Sequence, residues 1–387
     1  MSARAALAAA LLAPVVLVSP CTTAAQEAPP EPAPAPDSAT AAADGEPADS
    51  FRWTRVELHG RLLLRGFTDS EDGETSSDFD AENIRLELRW RPARWLRGAI
   101  EYDQGEGTHL KDAFLAFEKG RFEIRAGQFK PPVSPIQMES RWDLPSADRG
   151  LLSQVLVDSF GIAGRRPGVQ VAWDEKGGPW GAAAGVFRAS NVRGDRLADE
   201  AFDNLADDWG TLKATGRLAW RQRRLQFGAA FDLRPAEPVP GEGYSHYWTA
   251  GADVTWSARR RGPRVWAEGY AGSSWQDADP FDGDPATFLA GRVLAGWRFG
   301  SGKEKDLALE PYAAGSLFDP DASVREDLLW EIAGGVRLGA FKYLRLVLEA
   351  QHRDVSRNAP LSLGLLPFGG RPPSSRTRLV AQVGAAF

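Results

Sequence analysis

Ile84-Arg85-Leu86-Glu87-Leu88-Arg89-Trp90 puts every apolar side chain at an even position and every charge at an odd one. Successive side chains of an extended strand point to opposite faces, so this stretch reads as a strand with one apolar and one charged face. A helix would repeat its apolar positions at a period near 3.6, and that period is missing. Leu344-Arg345-Leu346-Val347-Leu348-Glu349 repeats the design, as do Leu212 to Arg221 and Leu225 to Arg234. At the end of the chain Thr377, Leu379, Ala381, Val383, Ala385 and Phe387 alternate with Arg376, Arg378, Val380, Gln382, Gly384 and Ala386. The alternation runs from about Phe51 to the last residue.

Between turn signals, strands fall near 53–66, 81–91, 95–104, 108–118, 121–130, 161–173, 178–190, 211–222, 223–234, 245–257, 263–276, 286–299, 306–318, 327–340, 342–355 and 375–387, about sixteen in all. Short connections such as Arg91 to Arg94, Lys119-Gly120, Lys176 to Pro179 and Arg260 to Gly262 have the composition of tight turns. They contrast with long, polar, acidic connections at Asp69 to Asp80, Asn191 to Asp208, Trp275 to Pro285 and Arg357 to Pro373. A soluble β-sandwich would hide its apolar faces in one narrow core, with strands of about five or six residues. These strands are longer, nearly all carry the apolar face, and no helical layer is available to cover it. The pattern predicts an all-β fold, an antiparallel transmembrane β-barrel of about sixteen strands, apolar toward lipid and charged toward a water-filled lumen. Trp53, Trp90, Trp95, Trp173, Trp180, Trp220, Trp256, Trp297 and Trp330, near the expected strand ends, suit the interfacial belts of such a barrel.

The 387-residue chain has one cysteine, four histidines and a net charge of −6. Residues 1–25 have a basic start at Arg4, an apolar stretch from Ala5 to Val18 and small residues at Thr23 and Ala25, which reads as a secretory signal peptide. Residues 26–50 are rich in Pro, Ala and acid and contain no basic or aromatic residue. Such a segment lacks the apolar surface to offset ordering entropy and reads as a disordered spacer, leaving 51–387 for the barrel. Cys21 lies in the leader, so neither a thiol nucleophile nor a Cys-based zinc site remains, and no metal or other cofactor is expected. The charge balance argues against a nucleic-acid partner. His59, His246 and His352 stand in no Ser-His-Asp arrangement, and no G-x-S-x-G turn occurs, which sets an enzyme aside. Leader and spacer hold one of the 46 basic residues and six of the 52 acidic ones, so the barrel itself is nearly neutral, with only eight lysines among its basic groups.

Parity assigns the lumen. Arg61, Arg65, Arg85, Arg89, Arg97, Arg125, Arg217, Arg221, Arg337, Arg345, Arg353 and Arg378 are the expected pore-lining, anion-binding groups, with Glu87, Glu101, Glu123, Glu331 and Glu349 among them. Guanidinium is weakly hydrated and matches carboxylate and phosphate oxygens, so rows of it imply passage of small anions. A plainer reading pairs these arginines with the neighbouring glutamates into a merely polar wall. The connection from Lys130 through Pro131-Pro132-Val133-Ser134-Pro135-Ile136-Gln137-Met138-Glu139-Ser140-Arg141-Trp142 to Asp158 is long, and its apolar residues must pack somewhere. Folded into the barrel it would be a pore-constricting loop, with Lys130, Arg141 and Arg149 at the constriction. An external cap or a subunit contact would bury it equally well.

Leu110-Lys111-Asp112-Ala113-Phe114-Leu115-Ala116-Phe117, Arg125-Ala126-Gly127-Gln128-Phe129-Lys130-Pro131-Pro132 and Arg166-Pro167-Gly168-Val169-Gln170-Val171, in this order and spacing, resemble the phosphate-selective porin O and P family. The resemblance covers 51–387 in architecture and is specific in motif from about 108 to 173. It implies a sixteen-stranded trimeric channel in the outer membrane of a Gram-negative bacterium, passing phosphate or related anions along an arginine ladder to a lysine-rich constriction. This chain departs from that pattern at Val133, where family members usually carry an aromatic, and in offering only Lys111, Lys119 and Lys130 near the expected constriction. The terminal Phe387 resembles the assembly signal of outer-membrane barrels. The expectation is a porin for passive diffusion of anions, with phosphate or polyphosphate as candidates; the alternative is a general diffusion porin for small polar solutes with weak selectivity. Its partners would be outer-membrane lipid, lipopolysaccharide bridged by divalent cations to the acidic loops, small anions, and further copies of the chain in a homotrimer.

Overall fold

The computed structural model describes residues 56–71, 73–105, 109–174, 178–189, 212–235, 246–257, 261–274, 286–300, 307–324, 326–340, 343–356 and 374–387. The expected signal peptide (1–25) and spacer (26–50) lie outside them, as do almost all of the connections expected at 191–208, 275–285 and 357–373.

Sixteen strands are present: β1 (Val56–Glu71), β2 (Glu74–Ala93), β3 (Leu96–Asp103), β4 (Leu110–Lys119), β5 (Phe122–Phe129), β6 (Arg166–Asp174), β7 (Trp180–Arg188), β8 (Leu212–Gln222), β9 (Leu225–Pro235), β10 (His246–Ser257), β11 (Gly262–Ser274), β12 (Ala286–Arg298), β13 (Leu307–Asp319), β14 (Leu329–Ala340), β15 (Leu344–Val355) and β16 (Ser374–Ala386). Each pairs antiparallel with its neighbour in sequence, and β16 pairs with β1, from Arg61 opposite Ala386 to Glu71 opposite Arg376, to close the barrel. Closure leaves no edge whose backbone groups would go unsatisfied in lipid. No described helix is long and apolar enough to cross a membrane.

The expected parity places side chains as the alternation dictates. Leu62, Ile84, Leu86, Ile100, Leu218, Leu348 and Val383 are exposed on the outer wall, while Glu87, Glu101, Arg217, Arg345 and Gln382 are buried inside. Trp95, Phe117, Phe122, Trp180, Trp256 and Trp297 are exposed close to the short-turn end and form an aromatic belt there.

One expected loop is instead strand. Asp69 to Asp80 continues β1 and β2 to a turn at Gly73. These residues carry no apolar face, but they pair across strands: Asp69 accepts from Arg376 and Arg378, and the Thr68 and Ser77 hydroxyls lie 3.0 Å apart. A hairpin that continues past the apolar band needs only its ladder and such polar pairs.

The connection between β5 and β6 enters the lumen. Pro131 and Pro132 lack the backbone donors needed to continue β5, and the chain turns inward into α1 (Pro135–Met138), α2 (Gly150–Gln154) and a π-helical turn at Val155–Ser159. Ser134 caps α1 by accepting from the Gln137 N–H and donates its own hydroxyl to Glu268 on β11 at 2.7 Å. Ile136, Leu144 and Ala147 pack on Trp266, Leu294, Tyr312, Val347 and Val380 of the wall. Leu151, Leu152, Val155, Leu156, Phe160 and Ile162 pack on Tyr270, Phe288, Phe318, Leu329 and Val355. The inward apolar residues of β11 to β13, which interrupt the charged face there, are therefore the seat of this loop, and neither an external cap nor a subunit contact is needed to bury it.

Gly127 on β5 explains one of the quoted motifs. Its φ is +127°, and a Cβ there would run into the backbone of Ala113 and Phe114 on β4. Gly120, in the β4–β5 turn, also has positive φ but has open space around it. Gly127→Ala is expected to destabilise the barrel by about 2 kcal/mol or more, and Gly120→Ala by less. The temperature at which each variant loses its resistance to SDS reads the difference, and equal shifts would contradict it.

Candidate functional site

The loop covers the inner wall from β9 to β16 and leaves a cavity of about 1360 Å³ against the other half of the barrel. Fourteen of the lining residues are Arg or Lys and seven are Asp or Glu. A nearly neutral barrel thus exposes a strongly cationic path, because other acidic groups lie buried where the loop docks.

The docking is polar as well as apolar. An irregular segment has few internal hydrogen bonds, and its carbonyls, removed from water, require donors from elsewhere. Arg345 on β15 reaches the carbonyls of Arg141, Trp142, Leu144 and Ser146, and its Nε donates to Gln382 at 2.9 Å. Arg264 and Arg337 both donate to Asp143 O, at 2.9 and 3.2 Å. Lys213 donates to Gly161 O, Ile162 O and Asp232, and Arg234 donates to Phe160 O. Wall carboxylates hold the loop's N–H groups in return: Glu349 accepts from Ala147 N at 3.0 Å and Glu331 from Leu151 N at 2.9 Å.

This divides the expected pore-lining arginines. Arg61, Arg85, Arg89, Arg125, Arg217 and Arg221 line the cavity, as do Lys130, Arg141 and Arg149 of the loop. Arg337 and Arg345 are fully buried beneath the loop, and Arg353 is buried in an ion pair with Glu331, so these three differ from the expectation of pore-lining groups. Arg65 is held by Asp80 and Glu82, Arg97 by Glu118 and Glu123, and Arg378 by Asp69; none of them lines the cavity. Parity places all six inside the barrel, and the loop and the cross-strand acids then occupy them.

Several cavity arginines are also paired. Arg85 bridges Glu101 and Asp103, Arg125 binds Glu123, Arg217 binds Asp253 at 2.6 and 2.8 Å, and Arg221 binds Asp174. Among the described residues no carboxylate makes an ion pair with Arg61, Arg121, Arg188, Lys130 or Arg149. Arg61 donates only to Ser140 Oγ, at 3.0 Å. Arg149 donates to Ile136 O and Glu139 O, so its geometry is set by the loop. Arg141 and Arg149 of the loop, with Arg165 against Asp112 and Glu101, add cationic groups to the side of the cavity facing β2 to β5.

Arg165, Arg166 and Arg188 line the cavity but escaped the sequence reasoning. They stand at strand ends beside long connections, where parity cannot be propagated; the motif at Arg166-Pro167-Gly168 was their one signal. Lys111 is buried and contributes to the lining.

Replacing Arg345 by Met should leave four buried loop carbonyls short of a donor at a cost of about 3 kcal/mol or more. Amide exchange through Arg141 to Ala147 is expected to accelerate and the open-channel current to become noisier, whereas native protection in the variant would count against this anchoring role.

The family model of phosphate-selective porin O and P matches residues 69–230, the stretch from the far end of β1 into β9 that builds the loop and most of the cavity wall. Among solved structures, an anion-selective porin from Comamonas acidovorans aligns over 86% of this chain and 99% of its own, with a TM-score of 0.61 at 13% identity. The outer-membrane channel DcaP of Acinetobacter baumannii aligns over 86% and 97%, with a TM-score of 0.58 at 14% identity. OmpT of Vibrio cholerae in its trimer form aligns over 86% and 99%, with a TM-score of 0.51 at 9% identity. At these identities the shared property is the fold, which is that of outer-membrane porins. No curated protein sequence matches the chain.

Proposed function

We propose that this porin-fold barrel, matched over 69–230 by the phosphate-selective porin O and P family, is a passive channel of a Gram-negative outer membrane that prefers anions. The observation that carries the reading is the twofold excess of cationic over acidic groups lining a cavity inside an otherwise neutral barrel. An anion entering the lumen would exchange part of its hydration for guanidinium donors and step between groups that hold it weakly. Weak binding at several sites is what conduction requires. Fixed positive charge lining the cavity would raise the local concentration of anions and repel cations.

Phosphate and polyphosphate are the candidates that the family match supports. The cavity supplies mostly guanidinium groups, with Lys130 and Lys111 as its lysines, so a lysine-rich phosphate trap has little material here. The pairing of Arg89 with Glu87, Arg125 with Glu123 and Arg221 with Asp174 favours the second reading, a general diffusion pore of weak selectivity. Assembly as a homotrimer and contact with lipopolysaccharide belong to the same proposal; the OmpT structure in trimer form supports the first.

The deciding measurement is the reversal potential of the reconstituted protein under a chloride gradient, followed by block with added phosphate. An anion-sided potential is expected, and a potential near zero would leave only the general pore. Arg61→Gln and Arg121→Gln, which break no ion pair, should each lower the anion-to-cation permeability ratio by about two- to fivefold, the effect of removing one charge from a partly screened lumen. An unchanged ratio in both would remove these groups from the pathway. Phosphate block at low concentration would single out phosphate among the anions.

A further inference from the structure

Ten of the cavity's fourteen cationic groups stand on β1 to β5 and the loop; β6, β7 and β8 carry the other four, Arg166, Arg188, Arg217 and Arg221, with a stretch of small side chains among them. There Ala172, Ala183 and Ala219 line the cavity, Ala219 almost fully buried, and the Arg221 guanidinium lies over Gly181 beside them. Ala172 stands directly opposite Ala183, and Gly181 opposite Ala219, so the four form one contiguous patch. The same rungs place Glu123 opposite Ala172 and Ala183 opposite Arg217, so the patch is bordered by the Glu123–Arg125 pair on one side and the Arg217–Asp253 pair on the other.

The loop adds apolar surface to the same cavity. Met138, the last residue of α1, is 40% exposed and belongs to neither of the two clusters that seat the loop. Val157 of the π-helical turn lines the cavity too, as does Phe114, whose ring lies 4.7 Å from the Arg125 guanidinium carbon. A thioether, a ring and bare alanines in a water-filled lumen contribute nothing to loop docking, and they offer no hydrogen bonds to a hydrated ion.

An inorganic oxyanion is polar on every side and gains nothing against such surface, while Arg121, two residues from Glu123 and without a carboxylate partner among the described residues, supplies what a carboxylate needs. A solute that carries a carboxylate at one end and an apolar flank at the other would use both kinds of wall at once. We propose, resting on the anion-preferring reading above, that the juxtaposition of Met138, Phe114 and the Ala172–Ala183–Ala219 patch with the cavity arginines selects small monocarboxylates bearing an apolar or aromatic flank. The arginines orient the carboxylate, and the patch and the thioether take the flank out of water.

The test uses the full chain in planar bilayers, with a protein-free bilayer as control, and reads block of chloride current by added acetate, benzoate and phosphate. Acetate and benzoate carry the same charge and differ in the flank; a merely cationic lumen of limited width would admit the smaller one better. Benzoate is expected to reach half-block at a concentration about threefold or more below that of acetate, an effect of partial burial of one ring, and below that of phosphate. Met138→Gln and Ala183→Ser, both neutral, should narrow the gap between benzoate and acetate. Equal block by the two carboxylates, stronger block by phosphate, or a gap that survives both substitutions would overturn the proposal. A chloride reversal potential near zero, read before any organic anion is added, would instead sink the anion-preferring reading, and this inference with it.

Discussion

Everything in the lumen depends on how a non-regular segment is kept inside a barrel. The chain from Lys130 to Arg165 has little secondary structure, and its backbone carbonyls have left bulk water. The far wall supplies the missing donors from Arg345, Arg264, Arg337, Arg234 and Lys213, and wall carboxylates accept from the loop's N–H groups. An unsatisfied buried carbonyl costs about 1–3 kcal/mol, so several would exceed what the apolar contacts of the loop recover. The arginine content of this barrel is therefore in part a consequence of its loop.

That division of labour gives the lumen two unlike halves. Beneath the loop the wall is dry, packed with Trp266, Tyr270, Phe288 and Phe318, and its charges are consumed in fixed contacts. Across the gap, β1 to β8 keep a water-accessible face on which cations outnumber acids. Arg is suited to both tasks for one reason: it stays charged when partly desolvated, and its planar fork can serve several oxygens. The same residue type thus anchors a backbone on one side and lines a path on the other.

The barrel was legible from alternation, because lipid on one side and water on the other force a period of two on every strand. The count of about sixteen followed from strand spacing, and apolar residues such as Ile136, Leu151 and Phe160 showed that the long connection needs cover, but that the cover is the inner wall was settled only by the structure. The Asp69 to Asp80 hairpin was not legible. Its strands extend beyond the band where lipid imposes an apolar face, so they look like loop. Inward parity likewise placed Arg337, Arg345 and Arg353 inside, yet it could not tell an exposed guanidinium from one whose oxygens come from elsewhere. For Arg345 those oxygens belong to residues about two hundred positions away, and no local pattern encodes such a pairing.

The sequence by itself determined the class of fold, a count of about sixteen strands, which face of most strands meets lipid and which long connection carries apolar residues that need cover. All of these are local consequences of solvent on either side of a strand or of an apolar residue that needs covering. Only the tertiary structure decided which arginines face the open cavity, which hold the loop and which are cancelled by acids, and that Ala172 and Ala183 line the cavity among them. Charge compensation is a short-range interaction in space between groups far apart in sequence, so it is settled by barrel closure and loop docking together.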